Sequence, residues 1–247
     1  AAYSPANCFL ATIEAARLAL TYRTPVILLT DGYLANGTEP WRLPDVEDLP
    51  RIGIEFATTF NGTDDEGNPR FLPYQRDPAT VARPLALPGT PELMHRIGGL
   101  EKEDGTGNVS YTPENHSLLT HLRADKVAGI ASDLPPIEIQ GDMDDAEILL
   151  VGWGSTWGAI SGAVDRVRAR GRRVAQIHLM HLNPFPPDLG DILRRYPRVL
   201  VPEMNLGQLV KLLRAEYLVD AHGVSKVQGV PFTAGELEQA ILEELSR

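Results

Sequence analysis

At 247 residues, with 43% hydrophobic and 23% charged side chains, the chain has ordinary globular composition and enough length for one large or two modest domains. A net charge of −10 at pH 7 repels phosphate backbones and argues against nucleic-acid binding, and no apolar run approaches the roughly 20 residues of a membrane span. The single cysteine, Cys8, rules out an internal disulfide framework and a cysteine-held metal or iron–sulfur site within the chain; with no secretory signal pattern, a cytoplasmic setting is the default expectation.

In chain order, Ser4-Pro5 reads as a helix start, because a serine oxygen caps free N–H groups and proline suits the first helical position. Phe9, Ile13, Ala16 and Leu20 then recur at helical spacing, and Arg23-Thr24-Pro25 ends the helix. Val26 to Leu29 is continuously apolar, the pattern of a parallel strand buried on both faces. One helix and one strand make half an α/β unit, so this opening reads as the end of a domain whose earlier strands lie before Ala1.

Residues 31–145 lose that rhythm: prolines recur from Pro40 to Pro91, and Gly, Asn and Asp cluster around 61–68 and 104–108. Trp41, Phe56, Phe60, Phe71, Tyr74 and Tyr111 argue for an ordered connector instead of a disordered linker. Thr112-Pro113-Glu114 predicts one helix across about 112–131. From residue 146 strands alternate with helices. Strands are expected at 148–151, 174–182, 199–201 and 227–230, with helices ending near Arg170 and spanning 187–195, 206–219 and 233–245. That alternation predicts an α/β fold, a parallel sheet in a three-layer sandwich.

In such a sheet ligands gather at the carboxyl ends of strands. The candidates there are Gly154, Ser155 and Thr156 after the first strand, Asn183 after the second, and Glu203 and Asn205 after the third. Gly152-Trp153-Gly154-Ser155 resembles a glycine-rich turn entering a helix, which holds anions in other proteins, but it is neither GxGxxG nor a Walker loop, and capping or packing is the plainer role for Ser155 because Ser and Thr caps are so common. It also misses the serine-hydrolase elbow by one place. His178 and His181 have poor metal spacing, His116 and His121 do not share a helical face, and the Asp64-Asp65 and Asp144-Asp145 pairs read as solvated turns. No metal site and no catalytic set emerge from spacing.

Several stretches, taken together and in order, resemble one family. They are Tyr3-Ser4-Pro5-Ala6-Asn7-Cys8-Phe9, Thr24 through Leu34, Glu39-Pro40-Trp41-Arg42-Leu43-Pro44, Pro88-Gly89-Thr90-Pro91, Gly99-Leu100-Glu101, Thr112-Pro113-Glu114-Asn115, Gly154-Ser155-Thr156-Trp157-Gly158-Ala159, Asn183-Pro184-Phe185-Pro186 and Pro202 through Leu209. The chain resembles the C-terminal portion of the α subunit of a 2-oxoacid:ferredoxin oxidoreductase, of the 2-oxoglutarate type. The resemblance implies the end of a thiamine pyrimidine-binding domain at 1–45, a connector at 46–145 and a transketolase C-terminal-like domain at 146–247. It implies decarboxylation of a 2-oxoacid on thiamine diphosphate, single-electron oxidation through a [4Fe-4S] cluster to ferredoxin, and transfer of the acyl group to coenzyme A. Thiamine diphosphate, magnesium and the cluster are expected on the partner β subunit, with none bound by this chain alone.

The family's carboxylate-gripping arginine loop and pyrimidine-activating glutamate would lie before Ala1, so no catalytic residue carries over and none is expected in this chain. Asp31, Asn36, Trp41 and Arg42 are candidates to line the cofactor cleft or the subunit interface; a surface or interdomain salt bridge is the plainer role for Arg42. Two other readings compete: a non-catalytic assembly or docking module of a thiamine-dependent complex, and a related thiamine enzyme of transketolase or 2-oxoacid dehydrogenase β type. The Pro-Glu-Met-Asn and Asn-Pro-Phe-Pro stretches argue against the latter.

Overall fold

The computed structural model describes residues 1–247. Its helices are α1 (Asn7–Tyr22), α2 (Gly32–Asn36), α3 (Pro113–Gly129), α4 (Trp157–Ala169), α5 (Leu189–Arg195), α6 (Gln208–Tyr217) and α7 (Ala234–Leu245). Its strands are β1 (Gly62–Thr63), β2 (Pro69–Arg70), β3 (Gln140–Gly141), β4 (Ile148–Trp153), β5 (Val174–Leu179), β6 (Val199–Glu203) and β7 (Ala221–Ser225). The chain divides into two compact units, with one boundary inside α1. The first comprises Ala1–Thr12, Leu28–Leu43 and Leu134–Arg247; the second comprises Ile13–Ile27 and Pro44–Asp133.

The first unit is built on a five-stranded sheet of order β3-β5-β4-β6-β7, parallel except for the short β3, which pairs antiparallel to β5. Alternation along β4 explains its layers. Leu149 and Val151 join α5 and α6 through Leu189, Leu193, Leu209 and Leu213, while Ile148 and Leu150 join α4 and α7 through Ile160, Val164, Leu237 and Ile241. A strand apolar on both faces needs helices on both faces, and the α/β three-layer arrangement read from the sequence holds. The chain leaves β4 for β5 on one side and later crosses to β6 on the other. The switch point of the sheet therefore lies between the carboxyl ends of β4 and β6.

Two expected strands are not strands. Val26 to Leu29 joins no sheet, although the Leu29 carbonyl accepts from the Ala2 amide at 3.1 Å, and Ile27 is 82% exposed. An apolar run becomes a buried strand only where other strands flank it, and none of the sheet's strands lies beside this one. The fourth parallel strand is Ala221–Ser225, and Val227 to Val230 is an exposed loop. As an edge strand pairing only with β6, β7 buries Ala221 and leaves Gly223 and Ser225 exposed, so its less apolar sequence suffices. The expected 206–219 helix is shortened to α6, because Gly207 and Leu218 both take left-handed backbone at its ends.

The second unit holds the last turns of α1, the β1–β2 hairpin and α3. Asp64 Oδ1 accepts from the Glu66 and Asn68 amides and so builds the hairpin turn, in keeping with a turn role for that acidic pair. The helix expected at about 112–131 is present as α3, with Pro113 in its first turn; Thr112 makes no side-chain cap.

Candidate functional site

The switch point is where the first unit concentrates polar groups. Asp31 precedes α2 in extended backbone, and its Oδ1 accepts from the Leu34 amide at 3.0 Å, capping the helix. Its Oδ2 accepts a short hydrogen bond from the Ser155 hydroxyl. Ser155 stands after β4, lies 3.7 Å from Met204 Sδ after β6, and is 8% exposed. The serine hydroxyl therefore bonds the Asp31 carboxylate and makes no helix cap.

Around this contact lie two adjoining clefts. The larger, about 730 Å³, is walled by Tyr3, Tyr33, Trp41, Trp157 and Phe232 and carries the Glu39 carboxylate, to which the Ser4 hydroxyl donates at 3.2 Å. The smaller, about 480 Å³, is lined by Asp31, Asn36 and Met204 and shares Tyr33, Gly37 and Pro231 with the first. No lysine or arginine lines either cleft. The combination of aromatic walls and two carboxylates can stack flat groups and accept hydrogen bonds; it offers no positive charge to a phosphate.

Asp31, Asn36, Trp41 and Ser155 thus come together, four of the residues singled out from the sequence. The others do not. Arg42 is exposed and makes no ion pair, so the expected salt bridge does not form. Asn183 is exposed. Glu203 is fully buried, and its two carboxylate oxygens accept from the Leu209 and Val210 amides at 2.8 and 2.9 Å, at the start of α6. Asn205 Oδ1 accepts from the Gly207 and Gln208 amides. Thr156 Oγ1 closes the turn by bonding the Trp153 backbone, and the Gly154 carbonyl accepts from His178 Nε2 at 3.0 Å.

Of the aromatic walls, sequence reasoning singled out only Trp41. Tyr3, Trp157 and His178 form a three-ring cluster with centroids 5.2 to 5.5 Å apart, and Phe9 packs on Trp41 at 5.2 Å. Tyr3, Trp41 and Trp157 lie within stretches that carried the family resemblance, a signal that was available; Phe232 had none. Burial holds the His178 imidazole well below its usual pKa, at about 4, so it is neutral at physiological pH.

The donor set does not fit the cofactors of thiamine-dependent oxidoreductases. No three His, Cys, Asp or Glu side chains converge as metal ligands, the clefts lack a cation for a diphosphate, and one cysteine cannot supply the four thiolates of a [4Fe-4S] cluster.

Comparison with known proteins decides the family. Residues 1–105 match the family model "Pyruvate flavodoxin/ferredoxin oxidoreductase, thiamine diP-bdg", and residues 146–236 match "Pyruvate:ferredoxin oxidoreductase core domain II". The chain is 52% identical over 243 residues to the 2-oxoglutarate oxidoreductase subunit KorA of Mycobacterium tuberculosis, covering 98% of this chain and 36% of that protein. The chain belongs to the 2-oxoacid:ferredoxin oxidoreductase α-subunit family. A second member, the 2-oxoglutarate synthase subunit KorA of Methanocaldococcus jannaschii, is 31% identical over 94% of this chain and 59% of its own length. The solved 2-oxoglutarate:ferredoxin oxidoreductase from Magnetococcus marinus, with 2-oxoglutarate, coenzyme A and succinyl-CoA bound, superposes with a TM-score of 0.88 at 30% identity, over 98% of this chain and 41% of that one. The chain thus spans between about a third and three fifths of the length of these relatives.

Proposed function

We propose that this chain is part of the α subunit of a 2-oxoglutarate:ferredoxin oxidoreductase. That enzyme would convert a 2-oxoacid oxidatively to its acyl-CoA and pass the electrons to ferredoxin. The observation that carries the reading is the 52% identity to a KorA subunit along 98% of the chain, supported by a backbone that follows a 2-oxoglutarate enzyme at TM-score 0.88. In this reading the chain's contribution is scaffold and subunit interface. Its switch-point cleft is aromatic and acidic, carries no lysine or arginine, and has a neutral histidine packed edge-on against its Tyr3 and Trp157 walls. Thiamine diphosphate, magnesium and the [4Fe-4S] cluster would sit on a β subunit, and ferredoxin and coenzyme A would engage the assembled enzyme in the cytoplasm.

The lack of any cation lining the cleft also favours a second reading, a docking module without chemistry of its own. Co-expression of the intact subunit with its β partner, followed by size-exclusion chromatography and viologen reduction, separates the two. Co-elution with reduction dependent on 2-oxoglutarate and coenzyme A is the expected result. Co-elution without reduction favours the docking module, and separate elution removes both.

A further inference from the structure

The larger switch-point cleft joins aromatic rings to a carboxylate that has no cation. Glu39 makes no ion pair: its Oε1 accepts the Ser4 hydroxyl at 3.2 Å, which fixes the group at the cleft wall and leaves Oε2 without a partner. Trp41 and Tyr33 line the same cleft and stand 44% and 56% exposed, although tryptophan is on average a well-covered side chain. Packing holds these walls in place. Phe9 backs Trp41 with ring centroids 5.2 Å apart, and Tyr3 and Trp157 lie 5.4 Å apart with their planes inclined by 49°.

The charges nearby point the same way. The adjoining cleft shares Tyr33 and adds Asp31, whose oxygens already accept from the Leu34 amide and the Ser155 hydroxyl, so it contributes negative charge without needing a ligand bond. Phe232, on the cleft wall, has the Lys226 ammonium 5.7 Å from its ring centroid. Both oxygens of Glu236 bond that ammonium, so it does not offset the two carboxylates. The face of an aromatic ring attracts a cation, and a carboxylate in the same cleft reinforces the attraction. An alkylated ammonium suits such walls best: its charge is spread over apolar carbons, and it asks for no set of hydrogen-bond acceptors. At about 730 Å³ the cleft has the size of a small-molecule site, typically about 300–1,000 Å³.

We propose that this cleft binds a small alkylated organic ammonium, its charge balanced by Glu39 and its alkyl groups set against Tyr33, Trp41 and Trp157. The site lies wholly within the first unit. It goes beyond the role proposed for the chain and does not depend on it.

The test is a proton NMR titration of the intact subunit with choline near pH 7 in a phosphate buffer. The control is the neutral alcohol in which carbon replaces the ammonium nitrogen, a molecule of the same shape without the charge. Choline should bind at least about fivefold more tightly than the alcohol, and its methyl resonance should move upfield as the ring faces shield it. Glu39→Gln and Tyr33→Ala should each weaken choline binding about threefold or more. Both side chains are exposed, so the variants should keep the wild-type Tm, which separates lost binding from lost folding. No binding of choline, equal binding of the neutral alcohol, or undiminished binding by both variants would overturn the proposal.

Discussion

His178 shows how much one side chain's surroundings decide. On β5 it shares a face with Gln176, which donates to Ser161 on α4, and its ring is edge-on to Tyr3 and Trp157. Nε2 donates to the Gly154 carbonyl, which leaves Nδ1 buried with no partner, facing Gly152 on β4. A Cβ at residue 152 would sit 2.7 Å from that nitrogen, so glycine is what lets the imidazole pack there. Burial lowers the folded-state pKa to about 4, whereas the unfolded chain titrates near the ordinary histidine value of 6.5. The unfolded state therefore binds more protons between those values. The contribution is fully present above about 6.5 and is lost as pH falls through about 4, with a ceiling of roughly 3 kcal/mol. Urea denaturation of the wild type and His178→Gln from pH 7 to pH 4 should show a steeper acid loss in the wild type; parallel profiles would refute the assignment.

At the scale of elements, the helix starts are held by different devices. For α6 the cap comes from a neighbouring strand: Gly207 enters in left-handed backbone, and buried Glu203 at the end of β6 receives two of the helix's first amides. For α7 the cap is local. Thr233 Oγ1 accepts from the Glu236 amide, and Glu236 Oε2 accepts from the Thr233 amide at 2.7 Å. Lys226 Nζ also bonds both oxygens of Glu236; with the Thr233 bonds, it holds that carboxyl near the bottom of the carboxylate range, at about 2. Because α7 carries Leu237, Ile241 and Leu245 into the sheet's second face, fraying its first turn loosens that layer. Thr233→Ala is expected to cost about 1 kcal/mol, read as a lower urea midpoint with unchanged m value. A change within error would show that Lys226 and Glu236 hold the turn without the threonine.

Across the whole molecule the two units are unequal in secondary structure. The first has a covered five-stranded sheet; Pro44–Asp133 has one long helix and a two-residue-per-strand hairpin. Arg51, Arg70 and Arg96 lie there in exposed backbone outside helices and long strands. Limited trypsin digestion should therefore cut first between Pro44 and Tyr111 and leave a resistant product containing 146–247. First cuts within α4–α7 would contradict this account. The sequence carried much of the architecture because strand and helix periods are local properties. Ile148 to Val151 had to be covered on both faces, Thr233 and Glu236 spelled their cap in four residues, and the ordered motifs pointed to the family. Other features depend on partners far away in the chain. Whether Val26 to Leu29 pairs depends on strands beside it; whether Ala221–Ser225 is a strand depends on β6. Likewise the meeting of Asp31, Ser155 and Met204 follows from tertiary contacts between segments with no common local pattern. Residue periodicity determined which elements form, since hydrogen bonding and burial within an element depend on its own side chains. Only packing decided which charges and rings face one another, because that depends on distances the linear order does not encode.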